Sequence, residues 1–165
     1  MSTYYHKFEI RWSDIDANRH LANSSYVAYC AQARMAFMEK NKMGLSALNR
    51  WGIGPVVLHE RFSFFKELYY GQEVYVSVEI NGFADDGSIY QFTHKFYLAD
   101  GTHCATAEAT GVWIDMMLRK STTPPDDILE VMLEYKTENH KVMSKEDIKA
   151  LPFRNENVDP NIFSN

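Results

Sequence analysis

From Val56 to Leu118 apolar residues recur at alternate positions through four long stretches, broken at Gly71-Gln72, Asp86-Gly87 and Asp100-Gly101. A period of two sends successive side chains to opposite faces of a pleated strand. Asp-Gly is a favoured centre for a two-residue hairpin. The stretches therefore read as consecutive antiparallel strands: Val56–Tyr70, one through Val74, Val76, Val78 and Ile80, then Ser88–Ala99 and Thr102–Leu118. In the last strand Ala105, Ala107, Ala109 and Gly111 make one face of small residues. A sheet needs such a face where a helix lies tightly against it.

The partner helix is visible upstream. Over Ser24–Lys42, Tyr26, Cys30, Ala33 and Phe37 follow the 3.6-residue period on one face, and Ala28, Ala31, Ala33 and Ala36 keep the helix slim. Residues 4–13 read as a strand ahead of it, and Leu45–Arg50 as a short second helix stopped by Gly52 and Gly54-Pro55. One long helix against a strongly curved antiparallel sheet buries both apolar faces, which makes the fold class α+β. Beyond Arg119 the character changes. Pro124-Pro125-Asp126 predicts a helix near Asp127–Glu138, Ser144 starts another that Pro152 ends, and residues 153–165 are polar and Asn-rich. A chain of 165 residues is expected to be one domain, with residues 1–122 as its body and 123–165 as a helical extension and polar tail.

Several functional classes are disfavoured. A net charge of −5 argues against a nucleic-acid surface. No apolar run reaches the ~20 residues of a membrane span, and MSTYYHKFEI lacks an apolar signal core. Cys30 and Cys104 are far apart in apolar surroundings and make no CxxC or zinc spacing. They read as free buried thiols, so the expected compartment is the cytoplasm. There is no P-loop, no G-x-G-x-x-G and no G-x-S-x-G elbow.

Chemistry concentrates in residues 12–34, WSDIDANRHLANSSYVAYCAQAR. Asp14, Asp16, His20 and Asn23 fall within ten residues, between a strand and the helix start. A carboxylate near a helix N-terminus suits attack on a carbonyl: the helix end supplies N–H donors for the oxyanion, and the carboxylate acts as base or nucleophile. The competing reading of Asp16 is a turn acid near the helix dipole. Asp14 reads as a structural acceptor, and Asn23 as the N-cap. His20 either orients Asp16, contacts a carbonyl or packs in the loop. D-x-D-x₃-H lacks a nearby fourth ligand, so no metal is expected. Arg34, among alanines, needs an ion partner, with Glu60 and Glu67 as candidates. His59, Phe62, Phe64 and Phe65 read as core or interface residues, with Phe64 and Tyr26 as walls of any groove beside the helix.

RWSDIDANRHLANSSYVAYCAQAR, GPVVLHERFSFFKELYYGQEVYVSVEI and HCATAEATGVWID, in this order, resemble the acyl-CoA thioesterases of the 4-hydroxybenzoyl-CoA thioesterase family. The resemblance spans about residues 4–120. It implies the hot-dog fold, a five-stranded antiparallel sheet wrapped around the long helix. It further implies a homodimer with sheets joined edge to edge, sites at the interface, and a dimer of dimers as the higher assembly. Asp16 would carry the catalysis, the amide near Asn23 would hold the carbonyl oxygen, His20 would support the site and Tyr26 would line the acyl pocket. The substrate-binding set expected here is Tyr26, His59, Phe64 and Arg19. No cofactor is implied, and the partner is an acyl-CoA, its acyl group fatty or aromatic. The alternatives are a thioesterase acting on acyl carrier protein and a non-catalytic acyl-CoA binder or sensor; a dehydratase would place its His and acid differently. Relatives commonly carry Gly before the His, a position open to positive φ; here it is Arg19.

Overall fold

The computed structural model describes residues 3–163. The sheet strands are β1 (Tyr4–Glu9), β2 (Ile53–Phe64), β3 (Glu73–Phe83), β4 (Ile89–Leu98) and β5 (His103–Asp115), in spatial order β1-β3-β4-β5-β2, every neighbouring pair antiparallel. Helix α1 (Asn23–Lys40) lies against one face, and α2 (Leu45–Trp51) leads from it into β2. The stripe Tyr26, Cys30, Ala33 and Phe37 is buried. So are Ala105, Ala107 and Ala109 opposite it, each at most 2% exposed. Small residues on β5 let the helix approach the sheet, and the large side chains come from Phe92 and Phe96 of β4 and from α1 itself.

Gly111 completes the small face for a specific reason. A Cβ there would stand 2.3 Å from the Val56 carbonyl oxygen and 2.4 Å from the Tyr90 hydroxyl. The Tyr90 ring crosses this part of the sheet and needs a residue without a side chain beneath it.

Three boundaries differ from expectation. β2 ends at Phe64, not Tyr70: the Phe65 and Lys66 amides turn to the Cys104 carbonyl, and Leu68 is drawn to the loop before α1. β5 stops at Asp115, whose Oδ1 accepts from the Met117 and Leu118 amides. The helix expected to reach Glu138 is α3 (Asp126–Tyr135), and it runs directly into a sixth strand, β6 (Lys136–Val142). β6 pairs parallel with Ile80–Phe83 of β3, the stretch beyond the reach of β1. Its sequence, KTENHKV, carries no alternation; a vacant length of β3 edge decides its conformation. The extension is thus not purely helical, although a short α4 (Lys145–Lys149) follows Ser144 as expected.

Candidate active site

The loop before α1 is held by Asp14. Arg11 grips its carboxylate with Nε and Nη2 at 3.1 and 3.0 Å, and the Tyr29 hydroxyl donates to it at 2.7 Å. Its carbonyl accepts from the Ser25 hydroxyl and the Ala22 amide at 2.9 and 3.0 Å. The Arg11 hydrogen bonds hold the Asp14 carboxyl below the usual carboxylate range against the opposing pull of burial. Burial, followed by the carboxylate beside it, pushes the Tyr29 phenol up. Asp14 therefore welds loop to helix.

Asp16 is left with a different task. Its Oδ1 accepts from the Asn18 amide at 2.8 Å, and backbone bonds from Asp16 to His20 and from Arg19 to Asp16 close the loop at 3.1 and 3.0 Å. Its side chain stays 31% exposed, with Oδ2 3.8 Å from His20 Nδ1. The other ring nitrogen of His20 lies 3.8 Å from Glu67 Oε1, so the imidazole stands between two carboxylates. Glu67 arrives because the Leu21 amide bonds the Leu68 carbonyl at 2.7 Å. From the sequence Glu67 is expected only as a partner for Arg34; a separation of 47 positions hides its place beside His20.

Arg19 adopts the left-handed conformation, φ 68°, at the position where relatives use glycine. The loop keeps its shape at a strain cost of roughly 1–2 kcal/mol. Its side chain borders a surface hollow with Trp12, Asp16, Tyr69 and Tyr70. Trp12 and Tyr70 meet edge to face there, 77% and 62% exposed.

Asn23 does not cap α1. Ala22 holds the cap position with extended backbone and Asn23 is the first helical residue, so no side chain caps this end. First-turn amides lack intrahelical acceptors, and here they are not spent on a side chain either. Tyr26 is buried between Phe64 and Phe96, with ring centroids at 4.9 and 5.1 Å, and burial pushes its phenol up to about 12. The structure thus brings Asp16, His20, the start of α1, Tyr26 and Phe64 to one end of the helix. His59 lies elsewhere. Its register partner is Thr110, between inward-facing Ala109 and Gly111, so it stands on the outer sheet face with Arg61 and Glu108.

Along the inner face, Glu60, Phe62 and Phe64 of β2 oppose Ala109, Ala107 and Ala105. Leu58 is a bulge, after which Val57 and Pro55 continue the same face. β2 thus runs antiparallel to α1, with Phe64 at Tyr26 and Glu60 at Arg34. Arg34 Nη2 is 3.4 Å from Glu60 Oε1, and Nη1 donates to His94 Nε2 at 3.0 Å. Of the two expected partners Glu60 is the one used; His94, on β4, was not foreseen. Past this cluster an apolar cavity of about 190 Å³ opens between the C-terminal half of α1, Pro55 and Val57 of β2, and Ile128, Val131 and Met132 of α3.

Among the described residues no cluster of His, Cys, Asp and Glu is arranged to hold a metal ion, and no helix is long and apolar enough to cross a membrane. Cys30 and Cys104 are unpaired and buried, and burial pushes the Cys30 thiol up to about 12, leaving it a poor nucleophile.

The family profile described as the thioesterase-like superfamily matches residues 10–132. A 1,4-dihydroxy-2-naphthoyl-CoA thioesterase from Synechocystis superposes with a TM-score of 0.72 at 16% identity, covering 81% of this chain and 97% of its own. A Staphylococcus aureus protein solved in complex with CoA superposes with a TM-score of 0.74 at 17% identity, covering 94% of this chain and 96% of its own. A comparison with curated proteins finds no significant match. The wrapped sheet and central helix are the hot-dog fold.

Proposed function

Since the chain belongs to the thioesterase-like superfamily and is a thioester hydrolase, we propose that it hydrolyses an acyl-CoA to the free acid and CoA, with Asp16 at the centre of the reaction. The observation that carries this reading is the partly exposed Asp16 carboxylate beside His20, in the loop that leads into the uncapped start of α1.

A thioester is activated relative to an amide, so a carboxylate with oriented amides suffices without a triad. Asp16 either takes a proton from the attacking water or attacks the carbonyl carbon itself, forming an anhydride that water then cleaves. In both routes the α1 amides near Asn23 hold the developing oxyanion, a donor worth roughly 3–4 kcal/mol when aligned. The C–S bond breaks, the electron pair leaves with sulfur, and the thiolate is protonated. His20, between Asp16 and Glu67, positions the carboxylate. Tyr26 and Phe64 line the start of the acyl path, and Arg19 beside Trp12 and Tyr70 offers a cationic, aromatic surface to the CoA arm. His59 faces away and has no part at this site within one protomer. Residues 123–165 extend the same domain, α3 closing the far end. The two unpaired buried thiols fit a reducing cytoplasm, and a fatty acyl group fits the apolar walls.

The test is thiol release from short, long and aromatic acyl-CoAs by wild type and Asp16→Asn. The expected outcome is turnover that falls ~100-fold or more in the variant, as for loss of a base or nucleophile. Near-wild-type turnover in Asp16→Asn removes the assignment. No turnover, with thermal stabilisation by acyl-CoA, turns the reading to a carrier-protein thioesterase or a binder.

A further inference from the structure

Arg34 is only partly committed. A guanidinium has five N–H groups, and two of them reach His94 and Glu60, the second at a long 3.4 Å. His94 cannot take more: its Nδ1 donates to the Ser77 carbonyl at 2.8 Å, which leaves Nε2 as the acceptor from Arg34. None of the Arg34 nitrogens is sealed away without a partner, and Arg34 lines the apolar cavity under α3. Trp113 lines the same cavity, and its indole N–H is buried with no hydrogen-bond partner. Buried donors are nearly always paired, so an orphan one calls for an explanation. The remaining walls, Met35, Met38, Val57, Phe92 and Met132 among them, are apolar. Two under-used donors at one cavity of this kind are what fixes an oxygen on an otherwise apolar ligand.

We infer that the cavity receives the distal part of the acyl group, and that this part carries a neutral oxygen, a hydroxyl above all, which accepts from Arg34 at the cavity wall. The inference rests on the acyl-thioester reading and names its substrate class. The charges of Arg34 and Glu60 offset each other, so a carboxylate in the cavity would bring one uncompensated charge into a dry site. A hydroxyl brings none and offers both a donor and an acceptor. The position of the oxygen follows from the helix. Arg34 lies eleven positions beyond Asn23, about 16 Å at ~1.5 Å per residue. An extended chain advances about 1.2 Å per bond, so roughly a dozen bonds reach from the thioester to Arg34.

The experiment compares dodecanoyl-CoA with ω-hydroxydodecanoyl-CoA, and octanoyl-CoA with ω-hydroxyoctanoyl-CoA. Hydrolysis gives kcat/KM, and calorimetry on the non-hydrolysable thioether analogues gives Kd. The hydroxylated longer substrate is expected to be favoured at least about tenfold in both readouts, with no such preference in the shorter pair. Arg34→Met is expected to bring the longer pair to within about twofold. A wild type that treats the longer pair alike, or prefers the plain chain, overturns the inference, as does failure of all four analogues to bind. The wild-type ratio decides even if Arg34→Met does not fold. Preferential binding of the hydroxylated thioether without hydrolysis of either ester keeps the inference and overturns the thioesterase reading instead.

Discussion

His94 shows how one buried side chain ties stability to pH. It is fully buried on the inner face of β4, opposite Ala107, and burial followed by the Arg34 charge pushes its imidazole down to about 3. The ordinary value is about 6.5. Between these two values the unfolded chain binds a proton at this residue and the folded one does not. Folding stability therefore falls as pH drops through that window and is fully present above it. Glu60, the nearby carboxylate, touches Arg34 and does not rescue an imidazolium that has lost its acceptor role. The expected slope is up to about 1.4 kcal/mol per pH step below about 6.5. Urea denaturation of wild type and His94→Gln from pH 7 to pH 4 measures it: the amide keeps a donor and an acceptor without titrating, so the variant's stability should change less over that range. Equal slopes in the two proteins would assign the acid sensitivity over that range to groups other than His94; the lowered Asp14 carboxyl adds its own loss only further down.

Elements formed where local pattern and tertiary demand agreed. The alternation of Val74, Val76, Val78 and Ile80 and the small face of β5 were legible because a strand's period is written in its own residues. So was the face of α1 carrying Tyr26, Cys30, Ala33 and Phe37. What was not legible came from partners distant in the chain. β6 exists because β3 has edge to spare, and Glu67 and His94 stand by His20 and Arg34 only after folding. The close grouping of Asp16, His20 and Asn23 could be read because it is local, yet the cap position went to Ala22, whose backbone geometry no propensity specifies. Gly111 gives the element scale its test. Adding one methyl there sets a carbon against the Val56 carbonyl, and backbone cannot step aside as a flexible side chain can. Gly111→Ala should cost about 1–3 kcal/mol, a fall in Tm of about 2–4 °C per kcal/mol for a chain of this length. Gly101, where an added Cβ would meet nothing within 4 Å, is the contrasting site: Gly101→Ala meets only the backbone strain of φ 86°. Gly111 has no positive φ to strain an alanine, so a Gly111→Ala protein as stable as wild type would show that the Tyr90 ring and its surroundings give way without cost.

At the scale of the whole molecule the question is what covers β2. Among the described residues it pairs with β5 alone, so its other side is a twelve-residue edge of unspent backbone donors and acceptors. Leu58, Phe64 and Phe65, on or just beyond this strand, are 46%, 49% and 60% exposed. A long edge is an aggregation hazard unless something protects or pairs with it, and the charges of Glu60 and Arg61 cover only the middle of this one. Proline is confined to Pro55 near its start, and the bulge at Leu58 carries an apolar residue. A second copy of the chain is the simplest cover, joining two sheets edge to edge. Such a dimer would also set a second chain beside Phe64, the β2 residue that meets Tyr26 of α1. Light scattering at micromolar concentration should therefore give twice the mass of the chain. Leu58→Lys combined with Phe65→Lys, two charges on the shared edge, should shift the protein toward monomer. If the partner shields the reacting thioester from water, thiol release should fall in step with the dimer fraction, and raising the variant's concentration should restore both together. A monomeric wild type with full activity would show that one protomer builds the whole site, and that the exposed β2 edge serves some purpose other than catalysis.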